Sequence, residues 1–293
     1  MKDTIIALGF FDGVHLGHQR ILSTAADEAE KKGLTSMAVT FENQPRAFLN
    51  KTSPNLLTTK EQREEYIRLQ GIKRVEMLPF DKAMAGMSPE VFVRDILVDR
   101  YGCRAVVCGE NYSFGSMGRG DGKLLRELGS GLGFECHICP PVVKDGLTVS
   151  SSWIRSLVGE GRIKEAGELL GRRYSIRGEI AHGRGVGAKL GFPTGNIAIP
   201  KDMLAPKYGV YAGVMKIGEI SFMCAVNIGI RPTFGLKTPV LEFHVLDFEG
   251  DIYGRTAEIS LVDFVREERA FASAKELAEQ IACDVGLIKE LLR

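Results

Sequence analysis

Residues 4–22 read TIIALGFFDGVHLGHQRIL. The unbroken apolar run from Ile5 to Leu8 suits a strand buried on both faces, and Gly9 and Gly13 follow it as turn residues. From Leu16 the apolar residues fall at helical spacing, and "HQRILSTAADEAEKKG" stops on Gly33. The stretch predicts strand, glycine-bearing bend and helix in succession, the opening unit of a parallel α/β sheet. His15 and His18 flank Gly17 where the helix begins, with Asp12 placed to fix the turn. Core packing asks for neither histidine. A helix start offers unpaired N–H groups and roughly half a positive charge, which suits an anion.

The same alternation continues outward. "TSMAVTFE", "VEMLPF", "RAVVCG" and "FECHICPP" read as strands, and "TKEQREEYIRLQG", "SPEVFVRDILVDRYG" and "GDGKLLRELGSG" read as the helices between them. This predicts a doubly wound parallel sheet with ligands at the carboxyl ends of its strands. After "SSSWIRSLVGEGRIKEAGELLG" the pattern changes. "YSIRGEIAHG", "GVYAGVMKIG", "ISFMCAVNIG", "VLEFHVLDF" and "TAEISLVDFV" follow with turns but no long helix between them, so a small antiparallel β-barrel is predicted. "ASAKELAEQIACDVGLIKELLR" supplies a C-terminal helix, and the boundary is set near residue 158, giving domains 1–158 and 159–293.

Composition narrows the function classes. The 293 residues are 44% hydrophobic and 26% charged with a formal net charge of +1, which gives no general pull toward nucleic acid or an anionic membrane. No stretch approaches the ~20 apolar residues of a membrane span, and the start lacks a signal-peptide pattern, so a cytoplasmic protein is expected. Cys136 and Cys139 stand three apart on a predicted strand, where their sulfurs diverge; a reduced strand is the expectation rather than a metal pair.

Three polar loops fall at one edge of the predicted sheet. Besides the histidine bend, "CGENYSFGSMGRGD" carries Asn111, and "TVSSSWIR" places Ser151 and Ser152 at a helix start with Arg155 one turn in, a suitable phosphate clamp. No G-x-x-x-x-G-K-[ST] sequence occurs, which argues against P-loop chemistry. In the second half "GRGVGAKLGFPTGN", residues 183–196, sets Thr194 and Asn196 on one strand face, a hydroxyl and an amide oxygen suited to Mg²⁺ on a nucleotide. Glu242 and His244 share a face opposite Leu241, Phe243 and Val245. On an inward barrel face Glu242 would be paired or used as a base; the alternative is that it faces solvent.

"GFFDGVHLGH" with "SSSWIR" resembles the HxGH nucleotidyltransferases. Adding "GENYSFG", "LGRRY", "GFPTGN", "KYGVYAG", "NIGIRPTFG", "DFEGDIYG" and "FVREERAF", the chain resembles the bacterial bifunctional riboflavin kinase/FMN adenylyltransferases over essentially its whole length. The resemblance implies that riboflavin is phosphorylated to FMN by the second half and FMN adenylylated to FAD by the first, with ATP, riboflavin, FMN and FAD as small-molecule partners. It implies ATP contacts at Gly9, Gly17, Asn111, Ser151, Ser152 and Arg155, with His15 and His18 stabilising phosphate. In the second half it implies ATP contacts at Gly185, Gly187 and Lys189, Mg²⁺ at Thr194 and Asn196, and Glu242 as general base. No prosthetic group, nucleic acid or membrane is implied, and the assembly expected is a monomer or weak homo-oligomer. Departures are Asn43 and Gln44 in "FENQPR", where the family commonly has F-x-P-H-P, and Gly195, Val186 and Ala188 in the second motif. Two rivals stand: an adenylyltransferase of one activity with a docking barrel, and a flavin-binding protein with a lapsed site.

Overall fold

The computed structural model describes residues 3–52, 55–183, 187, 191–233 and 236–293, those at 231–233 and 236–238 by their backbone alone. Two compact units divide it, Met1–Ser151 and Ser152–Arg293.

In the first unit five parallel strands form one sheet: β1 (Thr4–Leu8), β2 (Thr35–Phe41), β3 (Arg74–Leu78), β4 (Cys103–Gly109) and β5 (Glu135–Cys139). Their order is β3-β2-β1-β4-β5. The chain steps outward from β1 to β3 and then returns to the other side of β1. The switch point therefore lies between β1 and β4, where ligands of such sheets bind. Alternation along the strands builds a core on each face. Ile5 and Ala7 meet Leu22, Ala25 and Ala29 of α1 (Leu16–Lys32) and Ile67 of α2 (Lys60–Arg68). On the other face Ile6, Leu8 and Met37 pack with Phe92, Val93 and Leu97, from the helical stretch α3 (Phe92–Arg100), and with Leu125 of α4 (Gly122–Leu132). Cys139 belongs to the first core and Cys136 borders the second, so the two sulfurs do face opposite ways. A short ribbon of β6 (Val143–Lys144) and β7 (Leu147–Thr148), which the sequence pattern did not reveal, precedes α5 (Ser151–Glu160).

The second unit begins with α5 and α6 (Ile163–Leu170) and builds a seven-stranded antiparallel sheet. Its strands are β8 (Tyr174–Glu179), β9 (Ala181–His182), β10 (Gly195–Ala198), β11 (Gly209–Ile217), β12 (Ile220–Thr233), β13 (Leu236–Val245) and β14 (Thr256–Arg266), in the order β8-β14-β11-β12-β13-β10-β9. The sheet curls until β8 and β10 approach each other: a Cβ added at Gly178 would lie 2.6 Å from Ile197 Cγ2. Only glycine allows that near-closure. The interior is apolar, with Tyr211, Val226, Leu241, Phe243 and Ile259 all buried. Outside it lies the C-terminal helix α7 (Ala274–Leu291), capped by the Ser273 hydroxyl accepting from Glu276 N–H, with Ile288 against Val210 and Ala212 of β11.

Glu242 departs from expectation. Leu241, Phe243 and Val245 fill the barrel interior, so their alternation turns Glu242 and His244 outward. Glu242 points neither into the barrel nor into open solvent. It lines the groove between the outer face of the sheet and α7.

Candidate active sites

At the end of β1 the chain makes a bend that few residues tolerate. Phe11, Gly13 and Val14 all have positive φ, at 57°, 78° and 40°. Asp12 holds the bend: its buried carboxylate accepts from Leu57 N–H at 2.9 Å and Thr58 Oγ1 at 3.4 Å, while its carbonyl accepts from Ser151 Oγ at 3.0 Å. Gly9 lies under the Phe11 ring and Gly17 under the His15 ring, where a Cβ would come within 2.7 and 3.1 Å respectively. His15 caps α1, its Nδ1 accepting from the N–H groups of Gly17 at 3.2 Å and His18 at 3.4 Å. A neutral imidazole that accepts at Nδ1 carries its proton on Nε2, so His15 is a donor there. The His18 ring stacks on it with centroids 3.6 Å apart and meets Phe11 edge-on at 5.4 Å. Burial, then the neighbouring His15, hold the His18 pKa well below its ordinary value. Its Nδ1 is buried and finds no hydrogen-bond partner among the described residues. The bend thus offers neutral imidazoles at a helix start, suited to donating N–H groups to an anion.

The other predicted residues of this half lie as follows. Asn111 is exposed in the turn after β4, on the far side of the switch point from the bend. Ser151 reaches Asp12; Ser152 is exposed and Arg155 half-buried on the same helix, α5. Asn43, at the family departure, exchanges two hydrogen bonds with the Phe80 backbone, at 2.9 and 3.0 Å, tying the ends of β2 and β3 together.

Sequence reasoning missed Arg63. This residue of α2 is 1% exposed and its guanidinium donates to the carbonyls of Phe41 at 2.7 Å, Glu42 at 3.2 Å and Phe10 at 3.5 Å. It also lies 4.4 Å over the Phe10 ring. Burial pulls its pKa down to about 10, with Asp12 opposing, so it stays charged at neutral pH. The signal was present: Arg63 shares its helix face with Tyr66 and Ile67, three and four residues on, both buried.

In the second unit the register sets Asn196 beside Glu242 and Glu242 beside Asn227 across β10, β13 and β12. Thr194 Oγ1 donates to Glu242 Oε1 at 2.8 Å. Asn196 is 8% exposed, and both atoms of its amide are buried without a hydrogen-bond partner among the described residues. An unsatisfied amide in that position invites a ligand. The groove has a volume of about 460 Å³ and is bordered by Thr194, Asn227, Glu242, His244, Arg266 and Phe271. Gly187 lines it too, whereas Gly185 and Lys189 lie outside the described residues. Among the described residues no three His, Cys, Asp or Glu side chains gather to hold a metal by themselves. The donors present are instead a hydroxyl, an amide oxygen and a nearby carboxylate, which fit a hard cation that keeps phosphate and water ligands.

Known proteins match both halves in order. The FAD synthetase family model covers residues 1–153 and the riboflavin kinase family model residues 170–292. A bifunctional riboflavin kinase/FMN adenylyltransferase of Buchnera aphidicola subsp. Schizaphis graminum is 35% identical over 296 residues, covering 99% of this chain and 94% of that protein. One from Pseudomonas fluorescens is 36% identical over 292 residues, covering 99% and 93%. A crystal structure of a Streptococcus pneumoniae protein named for macrolide efflux superposes with a TM-score of 0.90 at 28% identity, covering 98% of this chain and 94% of that one. That name belongs to that protein; among the described residues here no helix is long and apolar enough to cross a membrane. With each half matched by its own model and relatives aligned nearly end to end, the chain belongs to the bifunctional riboflavin kinase/FMN adenylyltransferase family.

Proposed function

We propose that this chain converts riboflavin to FAD in two ATP-dependent reactions, phosphorylation in the β-barrel unit and adenylylation in the parallel-sheet unit. The observation that carries the reading is the buried, unsatisfied Asn196 amide beside a threonine already bound to Glu242.

In the first reaction the riboflavin 5′-oxygen forms a bond to the γ-phosphorus of ATP, the bond to the bridging oxygen breaks, and ADP leaves. A neutral alcohol must lose its proton as it attacks, and Glu242 is the base that takes it. Thr194 Oγ1 and Asn196 Oδ1 would hold Mg²⁺ with the nucleotide. The Thr194 proton is committed to Glu242, which leaves the oxygen lone pairs for the ion. When bound, Mg²⁺ neutralises phosphate charge.

In the second reaction an FMN phosphate oxygen attacks the α-phosphorus of ATP and pyrophosphate departs. That nucleophile is already anionic, so positioning and charge stabilisation suffice. His15 and His18 donate to phosphate oxygens, the N-terminus of α1 adds its dipole, and Gly9 and Gly17 keep the bend clear of side chains. Ser151, Ser152 and Arg155 hold the remaining phosphates, with Asn111 beside the nucleotide or flavin phosphate. The chain works on small molecules in the cytoplasm, as a monomer or weak homo-oligomer, with the functional division near residue 158.

A time course with riboflavin, ATP and Mg²⁺, resolved chromatographically, tests both halves. FMN should appear first and FAD after it. Unchanged riboflavin overturns the kinase assignment, and FMN that never becomes FAD overturns the other.

A further inference from the structure

Thr194 stands one residue before β10, so the regular ladder does not hold it. Two side chains from elsewhere do. The Tyr253 hydroxyl donates to the Thr194 carbonyl at 3.0 Å, and His244 Nδ1 lies 2.9 Å from the Pro193 carbonyl. A carbonyl only accepts, so this His244 nitrogen carries the proton. Each support is itself braced. Tyr253 stacks on His182 with ring centroids 3.6 Å apart, and His182 pairs with Gly195 across β9 and β10. His244 meets Phe192 edge-on at 5.4 Å.

The two carbonyls belong to the peptide planes on either side of Thr194. Because each peptide is planar, fixing both fixes φ and ψ of the residue between them. The side chain then keeps only its rotation about χ1, which the hydrogen bond to Glu242 sets. We propose that Tyr253 and His244 are positioning residues that clamp both peptide planes of Thr194, so that its hydroxyl oxygen is aimed for the Mg²⁺–nucleotide before that ligand arrives. This rests on Thr194 and Asn196 being the cation ligands.

The test is calorimetric binding of ADP to the full-length chain with and without Mg²⁺. The adenylyltransferase half is common to every chain compared, so its contribution cancels. Tyr253→Phe loses one hydroxyl and keeps the ring that stacks on His182. It should weaken ADP binding about five- to tenfold in Mg²⁺, the order of one lost hydrogen bond, and leave metal-free binding within about twofold. His244→Ala should do the same, and His244→Asn, whose amide N–H can replace the Nδ1 donor, should restore most of the loss. Unchanged Mg²⁺-dependent binding in Tyr253→Phe and His244→Ala, with Thr194→Val still abolishing the Mg²⁺ effect, overturns the clamp alone. Equal losses with and without metal overturn it as well. If Mg²⁺ does not strengthen ADP binding to the unaltered chain, or Thr194→Val leaves that strengthening intact, the cation-site reading fails and takes the clamp with it.

Discussion

His18 is half-buried, edge-on to Phe11 and stacked on His15, so it stays neutral where a solvated histidine begins to take a proton. The sign of the resulting pH effect follows from linkage. In the unfolded chain His18 titrates near its ordinary value of 6.5, and in the folded chain lower. Its contribution to stability is complete above that value and is lost as the pH falls toward the folded pKa. Thermal unfolding from about pH 7 to about pH 5 should therefore show a fall in midpoint that His18→Asn reduces. Equal slopes in both chains would show that other groups carry the acid limb. Arg63 teaches the complementary lesson about legibility. A polar residue within a charged helix reads as solvated, yet Arg63 sits on the stripe of Tyr66 and Ile67 and bridges the carbonyl ends of β1 and β2. Composition hid what periodicity contained. Arg63→Met should take the 2.7 Å donor from the part-buried Phe41 carbonyl at about 1–3 kcal/mol, while the Phe10 carbonyl keeps Thr40 Oγ1 at 2.9 Å, and denaturant unfolding measures the cost.

At the level of elements, α7 is tied to β14 through one ion pair. Arg266 donates from Nε and Nη2 to the Asp284 carboxylate at 2.7–3.0 Å, and Gln280 adds a bond at 2.7 Å. Asp284 is 5% exposed, so removing its partner strands a buried charge. Arg266→Met is expected to cost about 3 kcal/mol in denaturant unfolding, and a change under about 1 kcal/mol would mean the pair is solvent-screened in practice. The strands and helices themselves were largely legible, because short apolar runs and helical spacing mark them directly. β1 ends where glycine follows it, and α1 stops on Gly33 at φ 65°. Which side of the barrel carries the groove beside Glu242 was not legible. Period two told that Glu242 and His244 share a face, but only the placement of α7 makes that outer face a groove. Sequence spacing cannot say which external element covers a strand.

Each unit of the whole chain closes its own core, one on the two faces of a parallel sheet and one inside a curled antiparallel sheet. The two reactions should therefore separate by mutation. Glu242→Gln is expected to reduce FMN formation from riboflavin at least about 100-fold, as loss of a general base does, while FAD formation from supplied FMN stays within about twofold. Measuring both flavins in one preparation checks it, and joint loss in a folded protein would mean the sites are not independent. The order of the halves was readable because the change from helix-separated strands to turn-separated strands is abrupt. The histidine bend and the "GFPTGN" turn were readable as candidate sites. How Thr194 is held was not, since Tyr253 and His244 reach it from 59 and 50 positions away along the chain.

The pleat of β13 has a consequence for how this chain can vary. Leu241, Phe243 and Val245 are buried in the barrel, while Glu242 and His244 between them border the groove, with Phe243 reaching its edge. Barrel packing and groove lining are thereby written largely on alternate letters of one short word. A library restricted to Leu241 and Val245 can search for sturdier barrels while leaving the groove's own side chains in place.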